Sequence, residues 1–82
     1  MSEQKTINQN IEVLARFSAG TLSPIAFKYE GRLIKIESID LSYKTRSGSV
    51  LLLSFHVSSN ANSYKITYDG TRLSWVLEES FF

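Results

Sequence analysis

Apolar and polar residues alternate with a period of two along most of this chain, the pattern of strands with one face buried. The clearest case is residues 63–77. Tyr64, Ile66 and Tyr68 alternate with polar residues, Asp69-Gly70 follows, and Leu73, Trp75 and Leu77 alternate again. Asp-Gly between two such runs is a strong hairpin signal. Pairing around it sets Ile66 opposite Leu73 and Tyr64 opposite Trp75. A first strand is expected over residues 10–18, where Ile11, Val13, Ala15 and Phe17 share one face. Ile7, Ile11 and Leu14 also fit a helical spacing. After a break over residues 18–23, Pro24 opens a second strand, where its missing N–H does no harm. Ile25, Phe27 and Tyr29 face one way, and a Glu30-Gly31 turn sets Phe27 opposite Ile34 and Ile25 opposite Ile36.

The third strand changes phase. Ile34 and Ile36 are even-numbered, whereas Ile39, Leu41 and Tyr43 are odd. One extra residue near Glu37 and Ser38 accounts for the change, which is the signature of a β-bulge. A long bent strand of this kind can serve both halves of a small barrel. Residues 44–49 read as a loop. A fourth strand follows, with Leu51, Leu53, Phe55 and Val57 inward and Ser54, His56 and Ser58 outward. Residues 59–62 form another turn, and the Asp69-Gly70 hairpin supplies strands five and six.

The sum is an all-β chain with no convincing helix. An antiparallel sheet with one apolar face must cover that face, and here only the sheet itself is available. The expectation is a six-stranded antiparallel meander curled into a small, partly open barrel or roll, with a β-bulge in strand three. Residues 1–9 read as a flexible lead, 10–79 as a single domain, and 80–82 as a tail.

Composition narrows the function more than it identifies one. The chain has 82 residues and no cysteine, so neither disulfides nor thiolate metal sites can staple it. The opening residues lack the apolar segment of a signal peptide, and no run approaches the ~20 apolar residues of a membrane helix. A cytoplasmic protein without membrane contact is expected. The formal net charge is +1, without the basic excess usual in proteins that grip duplex phosphates.

Candidate chemistry is sparse. The expected register places two polar rows on the outer face, Asp40, Ser54, Thr67, Arg72 and Ser38, His56, Lys65, Ser74. Ser54, His56 and Ser58 with Asp40 nominally offer a nucleophile, a base and an acid. They sit on an open sheet without a glycine-rich elbow or oxyanion donors, so no catalytic residue is assigned. One histidine and scattered carboxylates assign no metal ligand, and isolated glycines assign no cofactor loop. The remaining candidates are Lys28, Arg32, Lys35, Lys44, Arg46, His56, Lys65 and Arg72, as a surface for a partner or for nucleic acid. With the aromatics expected inside, that surface lacks the stacking platforms of single-strand binders. Phe81 and Phe82 offer a C-terminal hook for a partner, or a plug for the barrel end. Leu14, Val50, Leu52 and Val76 are apolar on the outward side. The expected function is a non-enzymatic interaction module for protein–protein association, homodimerisation included. Weak nucleic-acid binding through the surface lysines and arginines is the alternative.

The pattern Phe17…Gly20…Pro24-x-x-Phe27-x-Tyr29-x-Gly31-Arg32, followed by Ile36 and Ile39 and later by Tyr64, Tyr68 and Trp75, resembles a small bacterial all-β domain family of unknown function. The resemblance covers about residues 13–77. This chain has Lys28, Tyr29 and Tyr43 where the family more often carries arginine and tryptophan. Some members are associated with Y-family, error-prone DNA polymerases, so the resemblance implies a DNA-related partner by association. Its motifs are turn glycines and core aromatics and imply no site residue.

Overall fold

The computed structural model describes residues 4–81. Seven strands form one antiparallel meander: β1 (Gln4–Ser18), β2 (Thr21–Tyr29), β3 (Arg32–Lys35), β4 (Ser38–Ser47), β5 (Val50–Ser59), β6 (Asn62–Asp69) and β7 (Ser74–Phe81). Their order across the sheet is β3-β2-β1-β7-β6-β5-β4. The sheet curls on itself into a partly open barrel, as the single apolar face of the sequence requires.

Two long strands turn the corners. β1 pairs with β7 through Ile11 and with β2 from Glu12 onward. The expected third strand is likewise divided, its first half (β3) pairing with β2 and its second half (β4) with β5. At the bend, the Ile36 N–H donates to the Ile25 carbonyl and the Glu37 N–H to the Ser58 carbonyl, each at 2.9 Å. This division makes seven strands of the expected six.

Tight turns link the strands where the sequence allows a left-handed backbone. Glu30 and Gly31 both have positive φ, 51° and 74°, the type I′ pattern that matches strand twist. Ala19 with Gly20, and Asn60 with Ala61, repeat it. The break expected at residues 18–23 is therefore only a two-residue turn, and Pro24 lies inside β2, opposite Ala15 at a register shift that skips Ile25. Pro24 thus stands at a β-bulge, one of the few places inside a sheet that accept a proline. β1 already begins at Gln4 and β7 runs through Phe81. Where a lead and a tail were expected, residues 4–9 and 80–81 are thus strand, paired with β7 and β1 except at a bulge over Ile7 and Asn8. Residues 1–3 and 82 lie outside the described residues.

The core lies between the β1–β3 corner and the broad β4–β7 wall. Phe27, Val57, Ile66 and Leu77 are fully buried, with Leu22, Phe55 and Tyr64 nearly so. Phe27 meets the Tyr64 ring edge-on at 5.2 Å between centroids. Trp75 packs against Tyr68 and Phe55 at 5.0 and 5.8 Å. Phe27, Tyr29, Phe55, Tyr64, Tyr68 and Trp75 are thus inside, as their alternation requires.

Two register expectations are corrected. The Asp69-Gly70 turn is not a two-residue loop, because Asp69 pairs with Ser74. The Asp69 carboxylate accepts the Thr71 and Arg72 N–H groups at 2.9 and 3.1 Å, and this side-chain turn stabilises a longer loop ending at Leu73, φ 55°. Ile66 therefore faces Leu77, Tyr68 faces Trp75 and Tyr64 faces Ser80, while Leu73 is 75% exposed. The phase change expected near Glu37 and Ser38 is present at the bend, since Ile36 packs on the core and Ile39 lies opposite buried Val57. The second correction is a further bulge in β4 at Asp40, between Ile39 and Leu41. Residues directly opposite in a ladder share a face. Ile39, opposite Val57, faces inward, but Leu41 and Tyr43, opposite His56 and Ser54, face outward. Ser42, Lys44 and Arg46 take the inward positions, opposite Phe55, Leu53 and Leu51.

The register makes a direct prediction. Leu77→Ala empties a fully buried site and is expected to cost about 2–5 kcal/mol in urea unfolding, whereas Leu73→Ala stays within about 0.5 kcal/mol. Equal losses would restore the shorter hairpin. The turns make another. Gly31→Ala places a Cβ at φ +74° and is expected to cost about 1–2 kcal/mol. Gly70 has no positive φ, and an added Cβ there meets the Leu51 carbonyl at an ordinary 3.7 Å. Gly70→Ala is therefore expected to be neutral or stabilising by up to about 1 kcal/mol, measured by the same denaturation midpoints.

Candidate functional site

A strand that bends from one neighbour to another leaves a free edge on each side of the bend, and both free edges here open into clefts. The first lies between β3 and the β5–β6 turn. Its volume is about 430 Å³, and its lining includes Arg32, Ile34, Lys35, Glu37, Asn60, Asn62 and Tyr64. It is polar and partly self-satisfied, because the Asn60 N–H donates to the Glu37 carboxylate at 3.2 Å. The second lies between the start of β2 and the middle of β4. Its volume is about 450 Å³, and it is lined by Phe17, Gly20, Thr21, Leu22, Ser42, Tyr43, Lys44, Leu51, Leu53 and Phe55. Both volumes fall within the range of roughly 300–1,000 Å³ typical of ligand clefts.

The second cleft follows from strand lengths. β2 has nine residues and β3 only four, so β3 and the bend at Ile36 cover β2 from Ile25 to Tyr29 and leave residues 21–24 without a neighbour on that side. All ten residues of β4 are exposed, and β4 ends the strand order with one side unpaired. The floor between these two edges is apolar: Leu22 and Phe55 are buried, Leu51 and Leu53 half-buried. Phe17 shares the inner face with Leu22 yet is 70% exposed, because it stands at the open mouth.

The outer face of β4–β7 holds a second group of side chains. The Ser54 and Thr67 hydroxyls are 3.0 Å apart and both residues are buried. Thr67 donates in turn to the Glu78 carboxylate, whose other oxygen lies 3.7 Å from the Lys65 ammonium. Lys65 also sits over the Tyr43 ring, 5.9 Å from its centroid, and Tyr43 lies 6.1 Å from the His56 ring. The Tyr43 hydroxyl first, with Glu78 and Glu79 assisting, holds the Lys65 ammonium above its ordinary value of 10.5, against partial burial. At the β4 bulge, Asp40 accepts hydroxyls from Ser58 and Ser38. These bonds, that from Ser58 foremost, hold its carboxyl below the ordinary 3.8.

The basic candidates therefore do not form one surface. Arg32 and Lys35 line the first cleft. Lys44 lines the second, and Arg46 shares its inward-facing row on β4. His56 and Lys65 flank Tyr43 on the outer face. Lys28 lies opposite Glu12 and Leu33, and Arg72 reaches only Asp69, at 4.0 Å. The expected outer rows change with the register: Tyr43, Ser54, Thr67 and Val76 form one, Leu41, His56, Lys65 and Glu79 the other. Ser54, His56, Ser58 and Asp40 are not joined as a triad, since Ser54 pairs with Thr67 and Asp40 with Ser58 and Ser38. Among the described residues no group of three or more metal-ligating side chains comes together, and no helix is long and apolar enough to cross a membrane. Phe81 is half-buried in β7, opposite Gln4 and Ser63; Phe82 lies outside the described residues. Leu14 is exposed beside a shallow depression of about 240 Å³ that includes Ala26 and Leu33, apart from half-buried Val50, Leu52 and Val76.

Fold and clefts together define a small all-β barrel with a split wall. No family model, no curated protein and no solved structure matches the chain, so the resemblance over residues 13–77 rests on those residues alone.

The Asp40 site predicts a pH dependence. A carboxyl with a lowered folded-state pKa stabilises the fold above its unfolded value, and that contribution is lost as pH falls through the folded one. Asp40→Asn is therefore expected to flatten the stability profile below about pH 4, in urea midpoints taken from pH 2 to 7. An unchanged acid limb would show that the bulge does not depend on the carboxylate.

Proposed function

We propose that this protein is a non-enzymatic interaction module that takes up an extended polypeptide strand along the free edge of β4. The observation that carries this reading is a ten-residue strand, exposed throughout and unpaired along one side, bounding a cleft with an apolar floor. Unpaired backbone N–H and C=O groups accept a further strand, and side-chain subsites beside them supply selectivity. Ile39, Leu41 and Tyr43 are all at least 39% exposed on this strand, so an added strand also covers apolar surface. Lys44 and Arg46 on the same edge disfavour its pairing with a second copy of itself, which makes homodimerisation the weaker form of the reading. The cytoplasmic setting belongs to the same proposal.

Nucleic-acid binding has one observation in its favour, Tyr43 beside His56 and Lys65. It is the weaker reading, because stacking binders use successive aromatics, and Lys65 is engaged with Glu78.

The test is selection of peptides from a random displayed library, followed by backbone amide NMR mapping. Selected peptides are expected to shift amides of residues 41–47 and 21–22 most strongly. Shifts confined to the face around His56 and Lys65, or tight binding of a single-stranded oligonucleotide at low salt in place of peptides, would overturn the proposal.

A further inference from the structure

The β4 wall of the β2–β4 cleft is cationic, and the β2 wall carries no charge. The bulge at Asp40 reverses the facing of β4 beyond it, so the inward row of a strand with an apolar partner becomes Ser42, Lys44 and Arg46. These residues are exposed, and they lie opposite Phe55, Leu53 and Leu51, so two cations stand above an apolar floor. The cleft lining includes no aspartate or glutamate. The ion pairs among the described residues are Lys65 with Glu78 and Arg72 with Asp69, and neither involves Lys44 or Arg46. The other cleft differs, since Glu37 lies among its basic residues.

We propose that the occupant of the β2–β4 cleft is an extended segment of another polypeptide carrying acidic residues at alternate positions, followed by an apolar residue. This rests on the strand-addition reading and assigns its chemistry. A strand antiparallel to β4 places every second side chain on the inner face. Its residues opposite Arg46 and Lys44 are acidic, and the one opposite Ser42, two positions further on, is apolar and reaches toward Phe55 and Leu22. The intervening residues point outward beside Thr45 and Tyr43, where β-branched side chains pack best against neighbours on a strand. The recognised pattern is acid-x-acid-x-apolar. A longer acidic run lacks the apolar anchor, and a purely apolar strand leaves both cations unmatched.

The experiment titrates the whole protein with three capped hexapeptides, followed by Trp75 fluorescence and amide shifts. Trp75 reports because it packs on Phe55, which lines the cleft. The peptides are Glu-Val-Glu-Val-Leu-Thr, its charge-reversed form Lys-Val-Lys-Val-Leu-Thr, and the acidic peptide N-methylated at its leucine, which removes the N–H that meets Ser42 on the free edge of β4. The acidic peptide is expected to bind about tenfold more tightly than the basic one at low salt, with the gap shrinking at high salt. The double variant Lys44→Glu, Arg46→Glu is expected to reverse that preference. Its two positions are exposed, so unchanged unfolding midpoints will show that the variant is folded. Equal binding of the acidic and basic peptides, both with shifts on β4, would overturn the acidic assignment while leaving strand addition intact. Binding of neither peptide with shifts on β4 would overturn both. Undiminished binding of the N-methylated peptide would overturn strand addition. Concentration-dependent dimerisation by light scattering, abolished by the double variant, would make a second copy the occupant and overturn the assignment. Tight binding of laurate that displaces the acidic peptide would do so in favour of an anionic amphiphile.

Discussion

A β-strand has two hydrogen-bonding edges, and a strand that bends from one neighbour to another must leave part of each edge bare. The rest of this barrel depends on that constraint. An apolar sheet face without a helix to cover it has to curl, and in a chain this short it curls by bending strands rather than by adding them. β1 makes its bend between two neighbours within one continuous strand. The second bend, at Ile36 and Glu37, is sharper. It is held by one hydrogen bond to each side, and it opens a cleft on either side of the corner.

The two clefts are unequal because the residues around them are unequal. β3 is short and ends in charged residues, so its cleft has polar walls whose backbone and side chains satisfy each other. β4 is long, and its register shift at Asp40 turns its apolar residues to the outside and its cations to the inside. A single inserted residue thus sets the chemistry of a whole wall. The carboxylate at that residue is held by the hydroxyls of Ser38 and Ser58, which ties the bulge to the neighbouring strand.

Much of this was legible in the sequence, and the failures have physical reasons. Alternation identified the class of fold and the inward placement of Phe27, Phe55, Ile66, Trp75 and Leu77, because burial on one face imposes a period of two. The Glu30 and Gly31 turn was equally legible, since its left-handed backbone has a sequence signature. Phase changes were harder. The phase change between Ile36 and Ile39 was legible and falls at the bend between β3 and β4, but the further shift at Asp40 was not, since Ile39, Leu41 and Tyr43 read as one inward set. Apolar content argued for that reading, and the pairing with His56 and Ser54 decided against it. The loop after Asp69 failed for a related reason. The Asp69 side chain bonds two backbone N–H groups, and that local preference outweighs the Asp-Gly signal. The β2–β4 cleft was hidden because it depends on the difference in length between β2 and β3. The one hint was Pro24, which belongs at an edge or a bulge.

The order of the strands has a consequence for how the barrel assembles. Every ladder except one joins strands that follow each other in the chain and can close as a local hairpin. The exception, between β1 and β7, joins Gln4 to Phe81 across almost the whole sequence. Loop closure over that separation costs more entropy than any hairpin, and non-local pairing is slow to form. The barrel is thus a chain of fast local zippers awaiting one slow clasp. Until that clasp forms, the sheet has two bare edges more than the native fold, and the core beneath Leu77 is open to water.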